Sequence, residues 1–339
     1  MNLLRAISIL LGILMLPACQ KDDGADSSES SVMSVPKGFP PIEFPSDNEY
    51  TPERWELGKK LFFDPALSLN QTVSCASCHQ PHLAFSDDKA LSVGDLSAVG
   101  KSNSPSLTNV AWSPSFTRAG GSPTLEMQVL IPIQDHDEFN YNIVDLAERL
   151  SQIPEYQLAA QSCYNRDMDP YVITRAIANF ERSLISGNSR YDRFAQFGVF
   201  NALSASERNG MNLFFSDRTN CASCHGDFNF TLNEFENNGL YEIYRDSGRM
   251  RLTGLESDRG RFKVPTLRNI SVSGPYMHDG YLETLEEVVA HYNNGGSNHP
   301  NKSELIRPLG LTEEERHDLE SFLRTLTDYE FLSNPNLKP

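Results

Sequence analysis

Downstream of its N-terminus the chain has no run of 18 or more apolar residues, so no membrane-spanning helix is expected there. It also lacks a sustained alternation of apolar and polar residues, and with it the mark of half-buried strands. Positive charge is scarce: 29 Lys and Arg against 45 Asp and Glu give a formal net charge of -16. An acidic surface repels phosphate, which argues against nucleic acid as a partner and favours a basic one. The remaining composition is ordinary for a soluble globular protein. A chain of 339 residues is long for one compact domain and comfortable for two.

The N-terminus reads as a targeting segment. Met1 to Arg5 is a short basic start, and Ala6 to Leu16 is an apolar core. A core this short is a signal region and not a membrane span. It ends in Leu16-Pro17-Ala18-Cys19, the form of a lipoprotein signal peptide over residues 1–19. Lipidation of Cys19 would anchor the mature chain to a membrane of the cell envelope, in the periplasm or at the outer membrane, without crossing it. An ordinary secretory signal with an incidental cysteine is the alternative. The next residues are rich in Ser, Asp and Gly and cannot bury enough apolar surface to fold, so 20–39 is expected to be a flexible tether.

Six cysteines are present, and four fall in two copies of one string. These are Cys75-Ala76-Ser77-Cys78-His79 and Cys221-Ala222-Ser223-Cys224-His225. C-x-x-C-H is the attachment signal for haem c. Two thiols add across the two vinyl groups of one porphyrin, and the adjacent imidazole then reaches the iron as proximal ligand. A zinc half-site or a redox dithiol could use a lone C-x-x-C. Neither explains a His directly after both second cysteines, and haem attachment requires the exported chain that the signal provides. Two covalently attached haem c groups are therefore expected, with His79 and His225 on the irons. Cys163 is left over and is expected to be a buried structural thiol.

The stretch before each haem motif repeats. Gly58-Lys59-Lys60-Leu61-Phe62-Phe63-Asp64 precedes the first, and Gly210-Met211-Asn212-Leu213-Phe214-Phe215-Ser216-Asp217 the second. Each half closes on an amphipathic helix. The first is expected at Val172 to Ile185, with Ile173, Ile177, Phe180 and Leu184 at helical spacing. The second is expected at Thr312 to Leu326, opened by a capping box of Thr312 and Glu315. The fold class is all-α: two cytochrome c-like domains at 40–195 and 196–339, each around one haem.

Further motifs then find a context. Asn103-Ser104-Pro105-Ser106-Leu107, Leu125-Glu126-Met127-Gln128, Phe262-Lys263-Val264-Pro265-Thr266-Leu267-Arg268-Asn269 and Pro275-Tyr276-Met277-His278-Asp279-Gly280 occur in this order with the two C-x-x-C-H strings. The set resembles the bacterial di-haem cytochrome c peroxidases and their MauG-type relatives. The resemblance implies a peroxidatic N-terminal haem, an electron-transfer C-terminal haem, and a Ca2+ ion held by the Asn103 side chain and the backbone carbonyls of Ser273 and Pro275. It implies that the catalytic carboxylate is Glu138, ten residues after Gln128. Hydrogen peroxide is the implied substrate, and a small c-type cytochrome or copper protein the implied electron donor. A homodimer is a further implication.

The chain departs from that pattern in three places. Many members carry a His in the loop after the first haem motif that caps the peroxidatic iron, but Phe85 to Lys101 contains none. His82 is too near His79 to reach the opposite face, which leaves His136. Met-ligated members place the methionine where Tyr292 stands here, and MauG-type enzymes have Tyr. Tyr292 is the expected second ligand of the C-terminal iron, with Met277 and His291 as alternatives. Where the family has a Trp between the haems, this chain has Arg118; Trp112 lies nearby in sequence. Three functions follow: a peroxidase, a MauG-like oxidase acting on aromatic residues of a protein substrate, and a di-haem electron carrier.

Overall fold

Thr51 opens the first long helix, Pro52–Phe63, by accepting the Arg54 amide on its hydroxyl, while Pro52 fills a first-turn position that needs no donor. The structure is a computed structural model that describes residues 33–339, and the signal peptide, Cys19 and most of the tether lie outside the described residues. The helix buries Trp55, Leu57, Gly58, Leu61 and Phe62 against a second helix, Pro170–Glu181. Gly58 makes the contact close: a Cβ there would stand 1.8 Å from the Ala176 carbonyl oxygen. Only glycine allows two backbones to approach so nearly.

The C-terminal half repeats the device. Helix Ala205–Phe214 crosses helix Glu313–Arg324 at Gly210, whose Cβ would meet the Asp318 carbonyl oxygen at 1.9 Å. Each pair then encloses a trio of fully buried rings: Phe62, Phe85 and Phe180 in one half, Phe214, Phe230 and Phe322 in the other. The repeat read in the sequence is thus a repeat in space, and the fold is all-α with two cytochrome c-like domains. The one named sheet among the described residues is a ribbon of Phe235–Glu236 on Phe262–Lys263, antiparallel.

Buried polar groups join the halves. Arg268 pairs with Asp192 through two hydrogen bonds of 2.9 and 3.0 Å, both side chains being 2% exposed. Removing one partner of such a pair would strand a buried charge, at about 3–5 kcal/mol. Asp328 accepts the amides of Gly187 and Asn188 across the same seam.

Two expectations change. The closing helix of the first half runs Pro170–Glu181 and stops short of Ile185. Ser183 ends it: its hydroxyl donates to the Phe180 carbonyl and accepts the Trp55 indole N–H, so side-chain bonds replace the next helical turn. Cys163 is only half-buried, and its carbonyl accepts the Arg54 Nε–H. Its helix, Pro154–Tyr164, packs by Tyr156 and Ala160, which leaves Cys163 at the margin. The capping box at Thr312 and Glu315 forms as expected.

Candidate functional site

Both haem motifs fold into a single short turn, Cys75–Cys78 and Cys221–Ser223. The chain then doubles back to aim a carbonyl at each histidine. Phe85 and Phe230 adopt left-handed backbone conformations, φ 57° and 51°. Phe85 O lies 2.8 Å from His79 Nδ1, and Phe230 O lies 3.2 Å from His225 Nδ1. A carbonyl only accepts, so Nδ1 carries the proton and Nε2 keeps its lone pair for a metal. Burial pushes both rings below the usual imidazole range, His225 to about 4, so both are neutral at pH 7. Neutral imidazole is the form that binds iron. All four motif thiols are free. Thiols, oriented imidazoles and aromatic walls fit two covalently bound haems.

The second of these sites is a cavity of about 220 Å³, with Cys221, Cys224 and His225 in its wall. Tyr292 and Met277 line it too. His291 does not: it is engaged 3.0 Å from the Asn238 carbonyl, outside the wall. Asn238 donates its amide to Met277 Sδ at 3.1 Å and weakly to the Tyr292 hydroxyl at 3.5 Å. Burial pushes the Tyr292 phenol up to about 12. A ferric ion would reverse that sense, because a bound cation is the largest charge in its surroundings and stabilises phenolate.

In the first site Glu138 is near enough to act electrostatically on both Cys75 and Cys78. Its side chain is exposed, with protein close around it. That crowding pushes its pKa up to about 7, helped by Asp135 and Asp137 and opposed by Lys101. His82 is exposed, and the His136 side chain is 80% exposed beside Asp137.

The loop that lacks a histidine is clamped onto the Glu138 segment. Asp95 N donates to Glu138 O at 2.6 Å, and Lys101 pairs with Asp137 at 2.5 Å. Gly94 lies so close that a Cβ would meet Asp137 O at 2.2 Å. The buried Asp95 carboxylate accepts the Asn70 amide and the Thr72 hydroxyl just upstream of Cys75. Sequence reasoning missed Asp95, which looks like any loop acid. It also missed Glu181, a buried carboxyl with an unpartnered Oε2 that burial pushes up to about 8. Glu181 is the strongest charge acting on Cys75. Its place on the buried face of an amphipathic helix beside Arg182 was the available signal.

Of the oxygens implied for Ca2+, the side-chain one has a partner within the protein. Arg118 donates from Nη2 to Asn103 Oδ1 at 2.7 Å and from Nε to Asn103 O at 2.9 Å. A guanidinium on the one side-chain ligand repels a second cation, and no cluster of three or more His, Cys, Asp or Glu suited to a metal occurs among the described residues. Ser273 and Pro275 lie in the turn before Tyr276, with the Ser273 amide donating to Ile270 O. Trp112 is held away from the second cavity, its indole N–H on Pro40 O at 3.1 Å and its ring against Phe39 and Phe228. Arg118 is in the cavity wall.

Comparison with known proteins agrees with this geometry. Residues 52–198 match the family model described as di-haem cytochrome c peroxidase, and residues 208–327 match cytochrome c. The methylamine utilization protein MauG of Methylorubrum extorquens is 36% identical over 89% of this chain and 87% of its own length. The cytochrome c551 peroxidase of Nitrosomonas europaea is 34% identical over 78% of this chain and 80% of its own. A crystal structure of a MauG-like protein associated with microbial copper homeostasis superposes with a TM-score of 0.85 at 32% identity, covering 90% of this chain and 97% of that one.

Proposed function

The chain belongs to the di-haem cytochrome c peroxidase and MauG family, and on that premise we propose that it reduces hydrogen peroxide to water at the N-terminal haem. The observation that carries the proposal is Glu138, a carboxyl pushed up to about 7 on a segment clamped to the Asp95 loop and acting on both Cys75 and Cys78. Bound there, a haem supplies iron that takes up peroxide and passes it electrons.

The protein's own groups do the rest. Cys75 and Cys78 fix the porphyrin, and His79, turned by the Phe85 carbonyl, presents Nε2 to the iron. Glu138 takes the proton from the nearer peroxide oxygen and returns it to the leaving oxygen, so a single carboxyl serves as base and then as acid. Two electrons and two protons per peroxide yield two waters. Cys221, Cys224 and His225, with Tyr292 in the same cavity wall, would hold the C-terminal haem, which would supply the electrons. The bond of His291 to Asn238 O speaks against that residue as ligand, while Met277 lines the wall beside Tyr292.

The donor is a small c-type cytochrome or copper protein with a basic face. The formal charge of -16 steers such a partner and makes capture salt-dependent. Initial rates of peroxide-driven oxidation of a reduced basic cytochrome c should therefore fall steeply between low and physiological ionic strength, where the Debye length shrinks to about 8 Å. Rates independent of salt, or no turnover with any small donor, would move the assignment to the second reading. That reading is a MauG-like oxidase of aromatic residues in a protein substrate, and a phenolate from Tyr292 favours it. An electron carrier without chemistry is disfavoured by Glu138 beside an uncapped site.

The same reading places the protein in the cell envelope, lipid-anchored at Cys19, with residues 40–195 and 196–339 as its two domains and a homodimer as its assembly. Haem c attachment to an exported chain supports the location. No helix among the described residues is long and apolar enough to cross a membrane.

A further inference from the structure

Three cations that no carboxylate among the described residues pairs with line the cavity of the C-terminal half: Arg307, which is exposed and donates to the Asp217 carbonyl, and two that are half-buried. Arg118 and Lys263 both line it. Arg118 spends Nε and one Nη2 hydrogen on Asn103, while Nη1 bonds to nothing described. Lys263 Nζ donates to Ser113 Oγ and the Ser115 carbonyl, both at 2.6 Å and both neutral. Asp279 and Asp246 act on Arg118 only at longer range, and the one charge that Lys263 feels is Arg118 itself. Burial pushes Lys263 down to about 8, the expected response of a cation with no partner. Burying two like charges side by side is costly unless an anion joins them.

Arg118 and Lys263 are tied to Asn103, Ser113 and Ser115 of the first half, whereas the attachment thiols stand on the turn at Cys221. A haem c presents the matching arrangement. Its thioethers leave from two adjacent pyrroles, and its two propionate carboxylates from the other two.

We infer that Arg118 and Lys263 form the binding site for the propionate carboxylates of the C-terminal haem, and that Arg118 at the same time holds Asn103 in the manner of a built-in cation. The inference rests on the haem reading above and goes beyond it by assigning two residues that the attachment motifs do not contain. Asn103 N donates to His278 O at 3.0 Å, so the guanidinium also ties the Asn103 loop of the first half to the cavity wall of the second. A positive pair beside the propionates favours the reduced haem, which offsets part of the opposite bias of a phenolate ligand.

The test uses the purified holoprotein with Arg118→Met, Lys263→Met and Arg118→Lys. Haem is counted by the pyridine haemochrome, and the midpoint potential of the C-terminal haem is read by spectroelectrochemistry. All variants should keep two haems, because the thiols attach them. Each Met variant should shift the C-terminal redox equilibrium about tenfold toward the oxidised form, ~59 mV for one electron. Arg118→Lys should recover most of the shift, and the N-terminal haem should move less. A chelator of calcium should leave the wild-type spectrum and potential unchanged. Should Arg118→Met fail to fold, Lys263→Met probes the same site. Unchanged potentials in the Met variants would overturn the inference, as would a wild-type spectrum lost with chelator and restored by Ca2+. Absence of haem from the wild type would instead defeat the underlying reading.

Discussion

Glu138→Gln should slow the reaction with peroxide by about two to four orders of magnitude while both haems and the fold remain. The amide matches the carboxyl in shape but cannot take the proton from the nearer peroxide oxygen. The effect is tied to pH. Crowding by the protein, with Asp135 and Asp137 adding to it, holds the Glu138 pKa up at about 7. The ionised form is the base, so the wild-type rate should climb as pH rises through about 7 and level off above it. Asp135→Asn removes a like charge and should move that limb to lower pH. Lys101→Met removes the opposing cation and should move it to higher pH. The limb should be absent in Glu138→Gln. A wild-type profile flat from pH 5 to 8, or a full rate in Glu138→Gln, would take Glu138 out of the mechanism.

The second large effect concerns Tyr292. Tyr292→Met should raise the reduction potential of the C-terminal haem by a substantial part of the roughly 0.8 V that axial ligands span. Phenolate stabilises ferric iron, whereas thioether stabilises ferrous iron. The residue has the right address: it lines the cavity of His225, and both Cys221 and Cys224 bear on its hydroxyl. Met277 shares the wall and His291 does not, so Met277→Leu should leave the low-spin EPR signal of the C-terminal haem unchanged. A potential unmoved by Tyr292→Met, with a signal lost in Met277→Leu, would make Met277 the ligand.

Local and periodic features were legible in the sequence because their causes are local. The C-x-x-C-H strings fix covalent chemistry within five residues. The capping box at Thr312 reads from a spacing of three, and Gly58 and Gly210 mark matching helix crossings. The family resemblance supplied Glu138 and Tyr292, which no local pattern would have singled out from an acidic loop and a helix face. What stayed hidden depends on distant segments meeting. Asp95 looks like a loop acid until its amide is found on Glu138 O. Lys263 looks like a surface lysine within a ribbon until its ammonium is found on Ser113 and Ser115. Arg118, fifteen residues from Asn103, was not expected on the same Asn103 oxygen that the resemblance assigned to calcium. The end of the Pro170–Glu181 helix turned on Trp55, on another helix, reaching Ser183.

The most direct test of the account is to mix the fully ferric protein with one equivalent of hydrogen peroxide and follow the Soret band by stopped flow. The clamped loop from Phe85 to Lys101 holds no histidine, and His136 Nδ1 lies 3.5 Å from Asp137. No activating electron should therefore be needed. The account predicts a fast spectral change in the wild type without prior reduction, and a change slower by about two to four orders of magnitude in Glu138→Gln. A ferric protein inert to peroxide, switched on only after one haem is reduced, would contradict it.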